Sequence, residues 1–195
     1  PSRNRKPFWA AFNPPMNSVN IVVLISGSGT NLQAIIDAVE RGEINGRIAA
    51  VISNRPDAKG LERAQKHGLY TLVIDHREYS GRDTFDAALQ DAIEQFQPAL
   101  VVLAGFMRIL TDGFVQHFSG RLVNIHPSLL PKFKGLNTHA RAIEAGEAEH
   151  GCTVHFVSPE LDGGAIIGHA RVAIASNDTA ETLAAKVQQL EHRLY

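Results

Sequence analysis

A single cysteine, Cys152, stands in the 195 residues, so no internal disulfide can staple the chain. That economy suits a reducing, cytosolic setting. No run approaches the roughly 20 consecutive apolar residues that a membrane-crossing helix needs. Charge of one sign is also missing: 19 Lys and Arg stand against 20 Asp and Glu, a formal net charge of -1. The balance gives no electrostatic reason to expect nucleic acid or an acidic membrane as a partner. Metal-ligand spacing is absent too. Cys152 has no Cys or His partner at such spacing, and no third residue completes a set with His150 and His155. Cys152 therefore reads as a small buried apolar residue.

The first fifteen residues hold four prolines together with Arg3, Arg5 and Lys6, and lack the apolar run of a signal peptide. Met16 stands just before the first strand-like run. Residues 1–15 are expected to form a leader or tag-like arm, disordered and outside the fold. Residues 16–195 are expected to form one domain, and that length supports a sizeable core.

What remains alternates between two hydrophobic periods. Asn20 to Ser26 is a continuous apolar run rich in β-branched residues, as a buried parallel strand requires. Leu32, Ile35, Ile36 and Val39 then recur at helical spacing, and Gly42 is placed to stop that helix. Further strands are expected at 48–52, 71–74, 100–104 and 122–125. Helices are expected at 58–67, 83–95 and 139–145. The last part changes character. Two strands, 153–157 and 167–172, flank the turn-like Pro159-Glu160-Leu161-Asp162-Gly163-Gly164, and a helix follows from Thr179 toward Tyr195. This order predicts an α/β fold: a doubly wound, mostly parallel sheet flanked by helices, with an antiparallel addition near the C-terminus. Ligands of such folds lie along the edge formed by the strand C-termini.

Four segments carry the candidate chemistry. Ser26-Gly27-Ser28-Gly29-Thr30-Asn31 joins the first strand to the first helix. Its glycines permit close backbone approach, and the free N–H groups of a helix start attract an anion. Thr30 or Asn31 is a candidate cap or ligand contact. Leu32 replaces the third glycine of a dinucleotide fingerprint, and no Walker lysine follows, so a small phosphate fits better than a dinucleotide. Leu103 to Leu110 leaves the most apolar strand, where backbone amides beside Met107, Ile109 and Leu110 would suit a flat heterocycle. Composition alone favours core packing for Met107 and Leu110. Asn124 and His126 stand two apart at a strand end and so face one side. An Asn amide can hold a developing oxyanion, and a histidine can move protons near neutral pH. An Asp before two glycines usually only forms a turn. If Asp162 reaches His126, its charge would favour the imidazolium. Lys132 and Lys134 read most simply as a solvated loop.

In this order, the four segments resemble the folate-dependent formyltransferase family over about residues 20–195. Asn124-Ile125-His126-Pro127-Ser128-Leu129-Leu130-Pro131 and Leu161-Asp162-Gly163-Gly164 mark the wider superfamily, and the Ser26–Asn31 loop points to its glycinamide ribonucleotide branch. The resemblance implies a Rossmann-like formyltransferase fold and a cytoplasmic enzyme of purine synthesis. Its co-substrate would be 10-formyltetrahydrofolate, with no metal, and its partners small molecules, the protein being a monomer or homodimer. Gly29, Thr30, Asn31 and Glu191 would bind the ribonucleotide, and Arg82, Met107, Arg108, Ile109 and Leu110 the folate. Asn124, His126 and Asp162 would be catalytic, with Asp162 keeping His126 protonated. Family members usually continue past the tyrosine that matches Tyr195. Three other readings compete: the initiator-tRNA branch, which usually carries an added RNA-binding domain, formyltetrahydrofolate hydrolase, and a non-catalytic nucleotide-binding module.

Overall fold

A computed structural model describes residues 18–195 of the chain. The expected arm at 1–15 lies outside the described residues. The strands are β1 (Val19–Ile25), β2 (Gly46–Ser53), β3 (Thr71–Val73), β4 (Leu100–Leu103), β5 (Leu122–His126), β6 (Glu149–Phe156) and β7 (Ile166–Ala173). The helices are α1 (Thr30–Glu40), α2 (Lys59–Lys66), α3 (Arg82–Glu94), α4 (Asp112–His117), α5 (Thr138–Glu144) and α6 (Ala180–Leu194). All seven strands form one sheet in the order β3-β2-β1-β4-β5-β6-β7. Pairing is parallel from β3 through β5, and antiparallel between β5 and β6 and between β6 and β7. This is the doubly wound sheet with an antiparallel addition that the pattern predicts.

Both faces of the central strands are buried, which explains their unbroken apolar sequence. Ile21, Val23 and Ile25 of β1 pack with Leu32, Ile35 and Ile36 of α1 and Leu61 of α2. Val22 and Leu24 face the other way, toward Phe85, Leu89 and Ile93 of α3 and Phe114 and Val115 of α4. Leu183 and Val187 of α6 cover Ile125, Cys152 and Val154. Cys152 is fully buried, as composition suggested. The sheet order reverses between β1 and β4, so the crevice beyond their C-terminal ends is the place where such a fold takes its ligands.

Three local expectations need correction. Helix α4 was not anticipated: it is too short for a 3.6-residue period to register, and its signal is the Thr111 side chain, which accepts from Phe114 N. Strand β6 starts at Glu149, four residues before the expected Thr153, because His150 and Gly151 hid its period. Gly151 belongs there for packing reasons, since a Cβ would sit 1.9 Å from the Ala170 carbonyl oxygen on β7. Finally, neither Thr30 nor Asn31 caps α1: the N-cap is Gly29, at φ 72°, and no side chain caps it.

Candidate active site

The Ser26–Asn31 loop is shaped by contact between two glycines. Gly29 lies in the left-handed region, and a Cβ there would stand 2.6 Å from Gly60 Cα on α2. Gly60 N also donates to the Gly27 carbonyl at 3.0 Å. Because α1 starts without a side-chain cap, its first amides stay available to an anion. Helix α6 forms the neighbouring wall. Gln188 Nε2 donates to Thr30 Oγ1 at 3.2 Å. Glu191 stands beside Asn31, and burial pushes its carboxyl up to about 6, opposed by the Asn31 hydrogen bond. Arg63 Nε donates to the Ser28 carbonyl at 2.7 Å. Sequence reasoning missed Gly60, Arg63 and Gln188. Only Gly60 carried a readable signal, a glycine spent inside a helical stretch.

The segment after β4 is tied directly to this loop. Met107 N donates to Ser26 Oγ at 2.8 Å, and Ser26 Oγ in turn donates to Asn54 Oδ1 at 2.6 Å. Met107 is 74% exposed and Ile109 67%, so the composition-based expectation of a core Met107 is wrong. Anchoring of its backbone by Ser26 leaves the side chain outside. Leu110 is half-buried against the α3 and α4 core. Arg108 turns inward, its guanidinium 4.9 Å from the centre of the Phe85 ring. Arg82 is the first residue of α3 and is exposed.

Asn124 pairs in register with Leu103, and Leu103 with Leu24. The loop, the 104–110 segment and the β5 terminus thus leave the sheet at one level. Val123 and Ile125 pack with the residues of the α1 and α6 face, which turns Leu122, Asn124 and His126 to the other side. Asn124 Nδ2 lies 3.5 Å from His155 Nε2. His155 Nδ1 donates to the Phe156 carbonyl at 2.9 Å, leaving Nε2 as an acceptor toward the Asn124 amide. Burial pushes the His155 imidazole down, toward the neutral form.

His126 is buried, hydrogen-bonded at one ring nitrogen and faced by a carboxylate at the other. Nε2 is 2.9 Å from the Phe133 carbonyl, and Nδ1 is 3.5 Å from Asp162 Oδ2. The two oxygens come from two loops. Phe133 sits at φ 55° and Asp162 at φ 50°, both in the left-handed region. Asp162 Oδ2 also accepts from Gly135 N at 2.8 Å, and Lys134 Nζ pairs with Glu160 at 2.7 Å. Lys132 pairs with Glu147 at 2.8 Å. Both lysines make ion pairs at the surface of this loop, which is solvent-facing as expected. Gly164 is required by the turn: a Cβ would lie 1.6 Å from the Phe156 carbonyl oxygen. Below the site, Tyr195 Oη lies 2.7 Å from the Leu103 carbonyl and 3.1 Å from that of Val123, tying the end of α6 to β4 and β5. Among the described residues no group of three His, Cys, Asp or Glu is arranged to hold a metal ion. No helix among them is long and apolar enough to cross a membrane.

Known proteins share both the sequence and the fold. Residues 19–195 match the family described as Formyl transferase. Phosphoribosylglycinamide formyltransferase of Escherichia coli (strain K12) is 51% identical over 177 residues, 91% of this chain and 84% of that protein. The Homo sapiens trifunctional purine biosynthetic protein adenosine-3 is 44% identical over 184 residues, 94% of this chain but 18% of that much longer protein. Among solved structures, phosphoribosylglycinamide formyltransferase from Coxiella burnetii superposes with a TM-score of 0.88 at 55% identity, covering 92% of this chain and 84% of that one. Glycinamide ribonucleotide transformylase 1 from Symbiobacterium toebii does so with 0.89 at 48%, covering 91% and 84%.

Proposed function

The chain belongs to the formyl transferase family, as the match over residues 19–195 shows, and from that premise we propose that it transfers the formyl group of 10-formyltetrahydrofolate to the amino group of glycinamide ribonucleotide. This is a cytoplasmic step of purine biosynthesis. One observation carries the reading: His126, with the Asp162 carboxylate 3.5 Å from Nδ1, opens from the same sheet edge as an uncapped helix start. The substrate phosphate binds the Gly29–Asn31 amides, with Glu191 facing the ribonucleotide. The pterin lies along Met107–Leu110, with Arg82 toward the rest of the folate.

The neutral amine forms a bond to the formyl carbon, and the carbonyl electron pair moves onto oxygen. Asn124 and His126 stabilise that oxyanion by hydrogen bonding in a site shielded from water. The Nε2–H that donates to the Phe133 carbonyl is the one able to meet the oxyanion, so donor binding exchanges one acceptor for the other. The Asp162 carboxylate, 3.5 Å from Nδ1, stabilises positive charge on the ring as the oxyanion forms. Collapse breaks the bond to the folate nitrogen, which receives the proton given up by the amine. No step is routed through a metal or a covalent enzyme intermediate.

The test mixes the protein with 10-formyltetrahydrofolate and follows folate absorbance with and without glycinamide ribonucleotide. Release that depends on the amine is the expected result. Amine-independent release would make the chain a formyltetrahydrofolate hydrolase, and no release a binding module.

A further inference from the structure

Helix α3 contains a carboxylate that the chemistry above does not use. Asp86 is 3% exposed, and its Oδ2 accepts from Thr111 N at 2.6 Å. Its Oδ1 is buried with no hydrogen-bond partner, and among the described residues no cation lies within ion-pair distance of it. A half-satisfied buried carboxylate is a poor stabiliser, and an apolar side chain of the same size would serve the core better. The place of the group explains it. Thr111 ends the 104–111 segment and caps α4. Residue 107 of that segment is pinned at its backbone by Ser26, and Arg108 is laid over Phe85, the neighbour of Asp86 on α3. The Arg108 Nε is itself buried without a partner. Between Met107 and Thr111 the chain spans from β1 to α3, and Asp86 supplies the hydrogen bond at the α3 end.

We propose that Asp86 is a positioning residue for the folate pocket: by holding Thr111 N it sets the path of residues 107–110, on which the pterin rests. The proposal takes the folate reading as its premise. It explains why a polar group persists in the α3 core, since a hydrogen bond fixes the height of a segment more sharply than apolar contact does. The ribonucleotide side of the site, formed by Gly29–Asn31 and α6, makes no use of it.

The test compares Asp86→Leu, Asp86→Asn and Thr111→Pro with the wild type. Binding is read by direct titration with 5-formyltetrahydrofolate, and KM for the amine in the transfer assay. Leu keeps the branching and removes the unpaired oxygen, but it is bulkier and leaves Thr111 N without its acceptor, so the thermal midpoint should fall while the variant stays folded. Folate affinity should fall about tenfold, as loss of one charge-assisted hydrogen bond implies, with the amine KM unchanged. Asn keeps the acceptor and should stay near wild-type affinity. Thr111→Pro removes the donor at a φ of -69° that suits proline; it also loses the Thr111 cap of α4, so its thermal midpoint should fall further, but its folate affinity should match that of the Leu variant, and it supplies the reading if the Leu variant fails to fold. Wild-type folate affinity in a folded Leu or Pro variant overturns the proposal, and so does an equal loss for both ligands. If the wild type binds no folate, the fault lies in the functional reading instead.

Discussion

At the scale of single residues the site depends on who faces whom. Asn124 is oriented by His155, and His126 by Phe133 and Asp162. Asn124 and His126 stand at the end of β5, so Asn124→Ala and His126→Ala should both fold, with a lower thermal midpoint for His126→Ala because that ring is buried. Each should lose about 10²–10³ in kcat, the usual worth of an oxyanion donor. Stopped-flow or steady-state assays on the purified variants check this, and near wild-type turnover in either would remove that residue from the mechanism. Asn124 and His126 were visible in the sequence as a polar pair two residues apart. His155 was not, because its part depends on β6 lying antiparallel beside β5, with His155 opposite Asn124.

At the scale of elements, the anion loop is a joint between α1 and α2. A methyl group on Gly60 would come within 2.6 Å of Ile25 Cδ1 and 3.2 Å of Gly29 Cα. Ile25 can shift its end atom, but the Gly29 backbone cannot move without carrying the loop. Gly60→Ala should cost about 1–2 kcal/mol of stability by overpacking, despite alanine's better helix propensity. It should raise KM for the ribonucleotide several-fold and leave folate titration unchanged. A variant with unaltered KM would mean that the loop tolerates movement at this joint. Strands β1, β4 and β5 and helices α1 and α6 were legible from period and length. Helix α4 and the first half of β6 were not, since six residues hold too little period and a glycine required by β7 reads as a turn.

For the molecule as a whole, two buried groups pull stability in opposite directions with pH. Burial, with repulsion from His139 and His126, pushes His150 down to about 4 from 6.5. Between those values the unfolded chain holds more protons, so stability falls as pH drops from 6.5 toward 4, by about 3 kcal/mol over the full range. Glu191 runs the other way. Its carboxyl, at about 6 against 4.5, favours the folded state below pH 4.5 and loses that advantage as pH rises through 6, by about 2 kcal/mol. Urea unfolding from pH 4.5 to 7.5 separates them. His150→Gln should flatten the loss on the acid side. Glu191→Gln should be more stable than wild type at pH 7 and equal to it near pH 4.5, while binding the ribonucleotide more weakly. Parallel curves for all three proteins would show that neither group titrates differently on folding.

By itself the sequence determined the class of fold and the segments that carry chemistry, because strand and helix periods, glycine turns and short polar motifs are local properties. It favoured a small phosphate over a dinucleotide for the Ser26–Asn31 loop by the residue at position 32, and it pointed to Asn124, His126 and Asp162 as the proposed catalytic set. Only the tertiary structure decided how those segments meet. Sheet order brought β1, β4 and β5 to one level, and packing exposed Met107 while turning Arg108 inward. It also placed Asp86, Gly60 and His155 against partners 25, 31 and 31 residues away. Such contacts follow from burial across the sheet and leave no period in the chain, so no local pattern announces them.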